Sequence, residues 1–171
     1  MIVKRNIFLI GPMGSGKSTI GKQLSKKLNM NFFDSDKEIE KKTGVNVSWI
    51  FDVEGEKGFR KREKKIICSI VKNNNIVLAT GGGSIESKKV RDSLSSRGVV
   101  IYLKTSIEKQ IIRIKSNKGR PLLQDNKSTY RILKNFAYTR NPIYKEISDL
   151  AILTDDCNIK EIISKILDFV N

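Results

Sequence analysis

A glycine-rich segment that directly follows an apolar run constrains this chain more than any other feature. Residues 7–10 are apolar, and the next residues are GPMGSGKST, in which Gly11, Gly16, Lys17 and Ser18 complete the pattern G-x-x-x-x-G-K-[ST]. Glycines allow backbone N–H groups to curl around phosphate oxygens, and a helix that starts behind the loop adds the positive end of its dipole. The motif therefore predicts a strand, a phosphate-binding loop and a helix in that order.

The same motif predicts which side chains and backbone groups bind a nucleotide. In loops of this kind the lysine reaches the β- and γ-phosphates and the serine hydroxyl is a ligand of Mg²⁺. We therefore expect ATP bound with Mg²⁺, a catalytic Lys17 and a metal-ligating Ser18. The predicted ATP-binding residues of the loop are Gly14, Ser15, Gly16, Lys17, Ser18 and Thr19.

Four further apolar runs follow along the chain. They are short and mostly unalternating, as strands buried on both faces of a parallel sheet are, and they cover residues 31–33, 76–80, 99–103 and 150–153. Between them, apolar residues such as Ile20, Leu24 and Leu28 recur with helical spacing. The pattern predicts a three-layer α/β fold, with a five-stranded parallel sheet flanked by helices, in a single domain over residues 1–171. Ligands of such folds gather at the carboxyl ends of the strands.

Composition excludes several classes of chemistry. The chain has no histidine, which removes Ser-His-Asp catalysis and histidine metal sites and favours a hard cation on oxygen ligands. The net charge is +15, but the basic residues are scattered among acidic ones without interleaved aromatic residues, so we expect no nucleic-acid partner. No apolar run approaches the roughly 18–20 residues of a membrane span, and the N-terminus lacks a signal-peptide pattern. We therefore expect no membrane partner and a cytoplasmic location.

Other classes of phosphate-loop protein fit the sequence poorly. The segment DVEG, Asp52 to Gly55, imitates the D-x-x-G of GTPases, but it lies in a helical pattern and not after a strand. The segment that starts at Asn126, NKST, has Thr129 where a guanine-binding N-K-x-D motif needs an acidic residue. A large ATPase would need a longer chain and a strand that ends in Asp-Glu. A small-molecule kinase remains, and it requires an acceptor site.

Two aspartates at the end of the second apolar run are candidates for that site. Asp34 and Asp36 are two residues apart, so an extended backbone would point both side chains to one face. Ser35 and Glu38 form an S-x-x-E pattern, which predicts that they cap the next helix and leave the aspartates for function. We expect Asp34 to bind Mg²⁺ through water and Asp36 to bind an acceptor hydroxyl.

Two charged residues lie on an apolar helical stripe in GFRKREKKIICSIV. Glu63 falls at the centre of the stripe and Arg60 lies within it, whereas Arg62 and Lys65 lie outside. Burying an Arg–Glu pair is energetically poor unless additional partners repay the desolvation. Arg60, held by Glu63, is therefore predicted to present its guanidinium to an anion; a purely structural ion pair is the alternative.

Two further segments complete the candidate acceptor site. Arg140 precedes Pro142 inside an otherwise helical stretch, where an arginine on the surface is an equally good interpretation. Three consecutive glycines, Gly81, Gly82 and Gly83, end the third apolar run. Their bare backbone is predicted to form one wall of the acceptor pocket, with N–H groups that a ligand can reach.

Taken together, these motifs resemble those of the shikimate kinases over nearly the full chain, most closely the first isoform of enteric-type bacteria. The matching segments are GPMGSGKST, FDSDKEIE, IFDVEGEKGFRKRE, LATGGGS, RPLL and RNPIY. The resemblance implies the P-loop kinase fold of nucleoside monophosphate kinases, with closing segments. It also implies transfer of the γ-phosphoryl group of Mg·ATP to the 3-hydroxyl of shikimate, in chorismate and aromatic amino acid biosynthesis.

The resemblance further implies roles for individual residues. Arg60 and Arg140 would hold the shikimate carboxylate, Asp36 would bind its hydroxyls, and Gly82 would contribute backbone. Lys17, Ser18 and Asp34 would serve ATP and Mg²⁺. Arg120, catalytic and ATP-binding, would lie on a lid, and Arg113 matches the position that flanks adenine.

The expected segments, the oligomeric state and two alternative functions complete the prediction. The shikimate-binding segment would cover about 34–62 and the lid about 113–127, in a chain expected to be a monomer. A gluconate kinase is the nearest alternative, but it would lack the combination of D-x-D, F-R-x-x-E and G-G-G. A nucleic-acid-binding module is the alternative from another class, and it would show no acceptor-dependent ATP turnover.

Overall fold

A five-stranded parallel sheet is the frame of this computed structural model, which describes residues 5–116 and 126–171. Its strand order is β2-β3-β1-β4-β5, and every neighbouring pair is parallel. The prediction of five parallel strands is confirmed, with boundaries that shift by one residue at most at either end of a strand. The strands are β1 Asn6–Ile10, β2 Asn31–Asp34, β3 Ile76–Ala79, β4 Gly98–Lys104 and β5 Leu150–Leu153.

Helices connect the strands and cover both faces of the sheet. They are α1 Lys17–Leu28, α2 Ser35–Thr43, α3 Val47–Ile70, α4 Lys88–Arg97, α5 Ile107–Lys115, α6 Asn126–Ile147 and α7 Ile159–Val170, with a short 3₁₀ helix at Ser84–Glu86. Several begin at a side chain that accepts a hydrogen bond from the first turn, as Ser106 does for α5 and Asn158 for α7. None of the helices within the described ranges is long and apolar enough to cross a bilayer.

The core has one apolar cluster on each face of the sheet. Phe8 of β1 packs in the cluster that includes side chains of α3, α4 and α6, and Tyr144 of α6 is its largest fully buried member. Leu9, the next residue, packs on the opposite face with side chains of α1 and α7. Burial of successive strand residues on both faces is the reason that the apolar runs do not alternate. The three-layer prediction is confirmed.

The segment from α2 to α3 packs beside the sheet with a small cluster of its own. Ile39, Ile50 and Phe59 are buried together there. Gly55 has φ 71° inside α3, a left-handed conformation that favours glycine, and it produces a kink that divides this long helix. The DVEG segment thus lies within a helix, as predicted, and not after a strand, where a GTPase would have it.

Parallel strands place their carboxyl ends at one edge, and the candidate residues lie there. β1 leads into the phosphate loop, β2 ends at Asp34, and β3 ends just before the triple glycine. The ends of β4 and β5 are tied together because Thr154 N donates to Lys104 O. This edge is therefore the place to look for a site.

Candidate active site

The phosphate loop is shaped by glycines with positive φ. Gly11, Gly14 and Gly16 have φ values of 144°, 77° and 91°. A methyl group on Gly11 would lie 2.5 Å from the backbone oxygen of Leu103 on β4, so the loop also needs glycine there for space. Gly16 precedes α1 and has no side chain with which to cap it, which leaves the N–H groups of the first turn facing the loop, as an anion site requires.

Lys17 is folded over this loop. Its Nζ donates to Gly11 O at 2.7 Å, to Pro12 O at 2.8 Å and to Ser15 Oγ at 3.3 Å. The residue is 9% exposed. The ammonium group therefore lies in a fixed position at the loop, where a phosphate could exchange for the carbonyl oxygens.

Ser18, in the first turn of α1, lies next to Asp34, at the end of β2. The Ser18 hydroxyl donates a hydrogen bond to Asp34 Oδ2. A hydroxyl and a carboxylate at the phosphate loop are oxygen ligands of the kind that Mg²⁺ prefers, so the pair fits a magnesium ion held directly by Ser18 and through water by Asp34.

The capping prediction for α2 was wrong, and the reason is geometric. Asp34 is the N-cap, and its Oδ1 accepts from Asp36 N at 3.0 Å and from Lys37 N at 3.3 Å. Ser35 is already in the helix, and its hydroxyl accepts from Gly81 N at 3.0 Å. The extended backbone assumed for Asp34 and Asp36 is therefore wrong as well, since α2 begins between them.

Two carboxylates pack over Gly81. A methyl group on Gly81 would overlap Glu63 Oε2 and would lie 3.3 Å from Asp36 Oδ1. The predicted role of the Gly81 N–H as a ligand donor is wrong, because this N–H donates to Ser35 Oγ. Gly81 instead leaves the room in which the two carboxylates approach the strand end.

Arg60 and Glu63 form the buried ion pair that the stripe predicted. Arg60 Nη1 donates to Glu63 Oε1 at 2.7 Å, and Glu63 is 1% exposed. Burial raises the pKa of Glu63 above its ordinary value, which the charge of Arg60 only partly offsets. Burial also opposes the charge on Arg60, yet the negative charge and hydrogen bond of Glu63 raise the pKa of Arg60.

Arg140 lies beside Arg60, and both guanidinium groups lie against Gly83, where a side chain would not fit. A methyl group on Gly83 would overlap Arg60 Nη2 and would lie 2.8 Å from Arg140 Nη2. Arg140 is 6% exposed, so the alternative of an arginine on the surface is wrong. Its Cζ lies 3.8 Å from the centroid of the Phe136 ring. Two guanidinium groups therefore converge on one point next to the triple glycine.

Gly82 joins this cluster to the phosphate loop. A methyl group on Gly82 would lie 3.5 Å from both Gly11 O and Tyr144 Oη, and 3.6 Å from Met13 N, all ordinary contacts. The Tyr144 hydroxyl donates to Gly82 O. The buried surroundings of that hydroxyl raise the pKa of Tyr144 far above its ordinary value, so it remains a donor.

Arg113 fastens the opposite side of the phosphate loop. Its Nη1 donates to Gly14 O at 3.0 Å and to Thr154 Oγ1 at 3.1 Å, and its Nη2 donates to Thr154 O at 3.0 Å. The arginine lies on α5, at the end of β5. This position is compatible with a place beside a nucleotide base, the role predicted for it.

Comparison with known proteins decides the family. A sequence profile described as "Shikimate kinase" matches residues 13–171. The chain belongs to the shikimate kinase family. A protein named shikimate kinase from Buchnera aphidicola subsp. Baizongia pistaciae is 60% identical over 100% of this chain and 99% of its own length. One named shikimate kinase 1 from Yersinia pestis is 55% identical over 99% of this chain and 98% of its own length.

Solved structures agree with this family and with the fold. A shikimate kinase from Acinetobacter baumannii, solved in complex with shikimate, has a TM-score of 0.91 and 42% identity, covering 97% of this chain and 92% of its own. A gluconokinase from Sinorhizobium meliloti has a TM-score of 0.61 and 15% identity, over 98% of this chain and 92% of its own, which shows the fold alone. The predictions of a kinase fold, of an ATP-dependent kinase and of this family are confirmed, and the gluconate kinase alternative has less support.

Some predicted residues of this shikimate kinase family member lie outside the described residues, and some residues of the site were not predicted. Arg120 and most of the predicted lid, 113–127, lie outside the described residues; the lid prediction overlaps the end of α5 and the start of α6, which are helical. Glu86, Tyr144 and Thr154 were not singled out from the sequence. They are identified only by their hydrogen bonds, with Arg140, Gly82 and Arg113 respectively. No local sequence pattern encodes such contacts.

Proposed function

We propose that this kinase transfers the γ-phosphoryl group of Mg·ATP to the 3-hydroxyl of shikimate, which gives shikimate 3-phosphate and ADP. The step belongs to chorismate and aromatic amino acid biosynthesis. The observation that carries the proposal is the convergence of two guanidinium groups, from the half-buried Arg60 and the buried Arg140, beside the phosphate loop. Family membership supports the same acceptor.

The acceptor would lie with its carboxylate at the two arginines. A guanidinium group matches a carboxylate with two parallel hydrogen bonds, which fixes orientation as well as adding energy. Gly82 lies next to Gly11 and Met13 of the phosphate loop, since a methyl group on Gly82 would contact both. The triple glycine would therefore border both the arginine cluster and the bound phosphates. An acceptor anchored by its carboxylate would then turn its hydroxyls toward Asp36 and the γ-phosphate.

The transfer itself depends on positioning and charge. Phosphoryl transfer has a loose transition state with negative charge on the equatorial oxygens. Lys17 and the N–H groups at the start of α1 would face that charge, and a preorganised donor is worth most in a site that excludes water. When bound at Ser18 and Asp34, Mg²⁺ would neutralise charge on the phosphate oxygens. The sequence resemblance implies that Arg120 also faces this charge, and we propose the same stabilising role for it.

Asp36 would orient the attacking hydroxyl. An ordinary carboxylate has a pKa near ~4, far below that of an alcohol, so it can take the proton only late, as the O–P bond forms. Its Oδ1 lies 3.3 Å from the position that a methyl group on Gly81 would take, and Glu63 Oε2 lies against the same position. This place suits a group that binds an acceptor hydroxyl.

The test is acceptor-dependent release of ADP from Mg·ATP in a coupled assay. Shikimate is the acceptor and gluconate is the control. We expect release with shikimate and none with gluconate. Protein that binds ATP but releases no ADP on addition of shikimate would contradict the proposal. The expectations of a monomer, of no nucleic-acid or membrane partner and of a cytoplasmic location stay predictions.

A further inference from the structure

We propose that Glu86 is a positioning residue that holds Arg140 in the orientation needed to bind the carboxylate of the acceptor. This inference rests on the proposed function, because it concerns the same acceptor site. Glu86 ends the short 3₁₀ helix that follows the triple glycine, and nothing in its local sequence pattern indicates a role.

The contact geometry assigns different parts of the Arg140 guanidinium to different partners. Nε donates to Glu86 Oε1 at 3.0 Å, whereas Nη2 points to the side of Gly83 where Arg60 Nη2 also lies. Glu86 thus binds the Nε edge of the guanidinium and leaves Nη2, on the side of Gly83, for the pocket.

Two contacts together fix the guanidinium. Phe136 lies against one side of the group, with Cζ 3.8 Å from the ring centroid, and limits its position. The hydrogen bond from Nε to Glu86 adds a directional contact. Loss of Glu86 would leave the contact with Phe136 and remove the contact that orients the Nη atoms.

The backbone of Glu86 is itself held in place. Arg91 Nη1 donates to Ile85 O at 2.8 Å and to Glu86 O at 3.1 Å, and Ile85 is fully buried. A carboxylate on a fixed backbone can orient its partner, whereas one on a mobile loop could not.

The charges of the cluster give a second reason for Glu86. Two guanidinium groups that approach one point repel each other, and a buried arginine without a counter-ion is strongly destabilising. Arg60 has the buried Glu63, and Arg140 has Glu86, whose side chain is 42% exposed. The negative charge of Glu86 also reaches Arg60, where it adds to the effect of Glu63 on the pKa of that arginine.

The difference in exposure has a functional consequence. Water screens the exposed Glu86 carboxylate, so it neutralises Arg140 less completely than Glu63 neutralises Arg60. Arg140 therefore keeps attraction for a second carboxylate while its orientation is already set. Preorganisation of this kind lowers the entropy lost on binding.

The first test compares Glu86→Ala and Glu86→Gln in the shikimate-dependent assay. We expect Glu86→Ala to raise the acceptor KM about ten-fold, equivalent to about 1.4 kcal/mol, with kcat within about two-fold and the KM for ATP unchanged. Glu86→Gln keeps an oxygen acceptor for Nε, so its KM should stay within about three-fold of wild type. Asp92→Asn is the control for loss of one charge, since Asp92 pairs with Lys88 on the surface of α4.

The second test needs no acceptor and separates this inference from the proposed function. In ¹⁵N spectra of the ligand-free protein, the Arg140 Nε–H signal, assigned by its absence in Arg140→Lys, should exchange slowly in wild type and Glu86→Gln and rapidly in Glu86→Ala. Equal protection in all three proteins, or a Glu86→Ala acceptor KM equal to wild type, would overturn the inference. A wild-type enzyme that ignores shikimate but shows the exchange pattern would overturn only the proposed function.

Discussion

The phosphate loop and the arginine cluster both depend on glycines, but for different physical reasons. Gly11, Gly14 and Gly16 have positive φ, so the loop needs them for its backbone conformation. Gly81 and Gly83 do not have positive φ; they are small because charged side chains from other elements occupy the space that a Cβ would fill. The phosphate loop therefore depends on the conformation of its backbone, whereas the arginine cluster depends on side chains that pack over the bare backbone after β3. In the proposed reaction the loop is the donor side of the site and the cluster is the acceptor side.

This difference predicts how substitutions on the two sides should act. The loop is one contiguous segment whose groups would face the transferred phosphoryl group in the proposed reaction, so changes there should lower kcat. The cluster collects side chains from α3, the 3₁₀ helix and α6, and these would touch the part of the acceptor that does not react. Changes there should raise the acceptor KM and leave the KM for ATP alone.

Lys17→Ala should give the largest effect. Removing the cation at the phosphates is expected to lower kcat by about 10³–10⁵-fold, by analogy with the arginine side chains that stabilise the same transition-state charge in GTPases. Lys22→Ala, at an exposed position on the same helix, is the control and should retain wild-type kinetics. Steady-state rates with both substrates varied provide the measurement. Comparable activity in the two variants would mean that Lys17 only ties the loop carbonyls.

Asp36→Asn should come next. The amide keeps the shape of the side chain but cannot accept the hydroxyl proton, so we expect turnover to fall by about 10²–10⁴-fold with ATP binding close to wild type. Turnover and ATP affinity, measured separately, check both parts. Substantial activity in this variant would remove Asp36 from its proposed role, and loss of ATP binding would move it to the donor side.

The triple glycine offers a direct comparison within three residues. Gly83→Ala forces Arg60 and Arg140 apart, so its acceptor KM should rise at least about ten-fold with little change in the KM for ATP. Gly82→Ala places its methyl at ordinary contact distances and should stay within about three-fold of wild type. Titrations of acceptor and of ATP with both variants measure the two KM values. Equal losses in the two would show that bare backbone, and not room for the arginines, is what the site requires.

Asp34→Asn separates the N-cap role of Asp34, which the structure shows, from its proposed role in binding Mg²⁺. Asparagine is as good an N-cap as aspartate, so the hydrogen bonds at the start of α2 should survive and the melting temperature should change by no more than about 2 °C. The lost charge should raise the Mg²⁺ concentration needed for half-maximal rate several-fold. A Mg²⁺ titration beside thermal unfolding tests both effects. An unchanged Mg²⁺ requirement would leave Asp34 with the capping role alone.

The sequence predicts the two sides of the site unequally. The loop motif and the Arg60–Glu63 stripe are local patterns, and both were found where the sequence predicted them. Contacts such as Arg140 with Glu86 and Tyr144 with Gly82 join residues far apart in the chain, so no periodicity reveals them. The helix start at Ser35 was missed because two residues could cap the same turn. Only the packed geometry selects between such alternatives.

Substitution of Asp155, which lies on the donor side of the site, should produce the smallest effect, and this effect is on stability. Its Oδ1 accepts from Ser106 N at 2.9 Å and links the segments that follow β5 and β4, next to Arg113. Partial burial opposes its charge, but the hydrogen bonds from Ser106 and the charges of Arg113 and Lys109 lower the pKa of Asp155 below its ordinary value. A carboxylate with a lowered pKa in the folded state adds stability above its unfolded pKa, near ~3.9, and loses it as the pH falls through the folded value.

Asp155→Asn should therefore be less stable than wild type at pH 6–8, by an amount that shrinks as the pH falls below about 4. Urea unfolding across this pH range measures the difference, and Asp156→Asn, an exposed neighbour, controls for the loss of one charge. A stability gap that stays constant down to the acid limit would mean that Asp155 acts through hydrogen bonding and not through its charge. Asp155 would then link the ends of β4 and β5 by hydrogen bonding alone, unlike Glu63 and Glu86, whose charges face the arginines of the acceptor cluster.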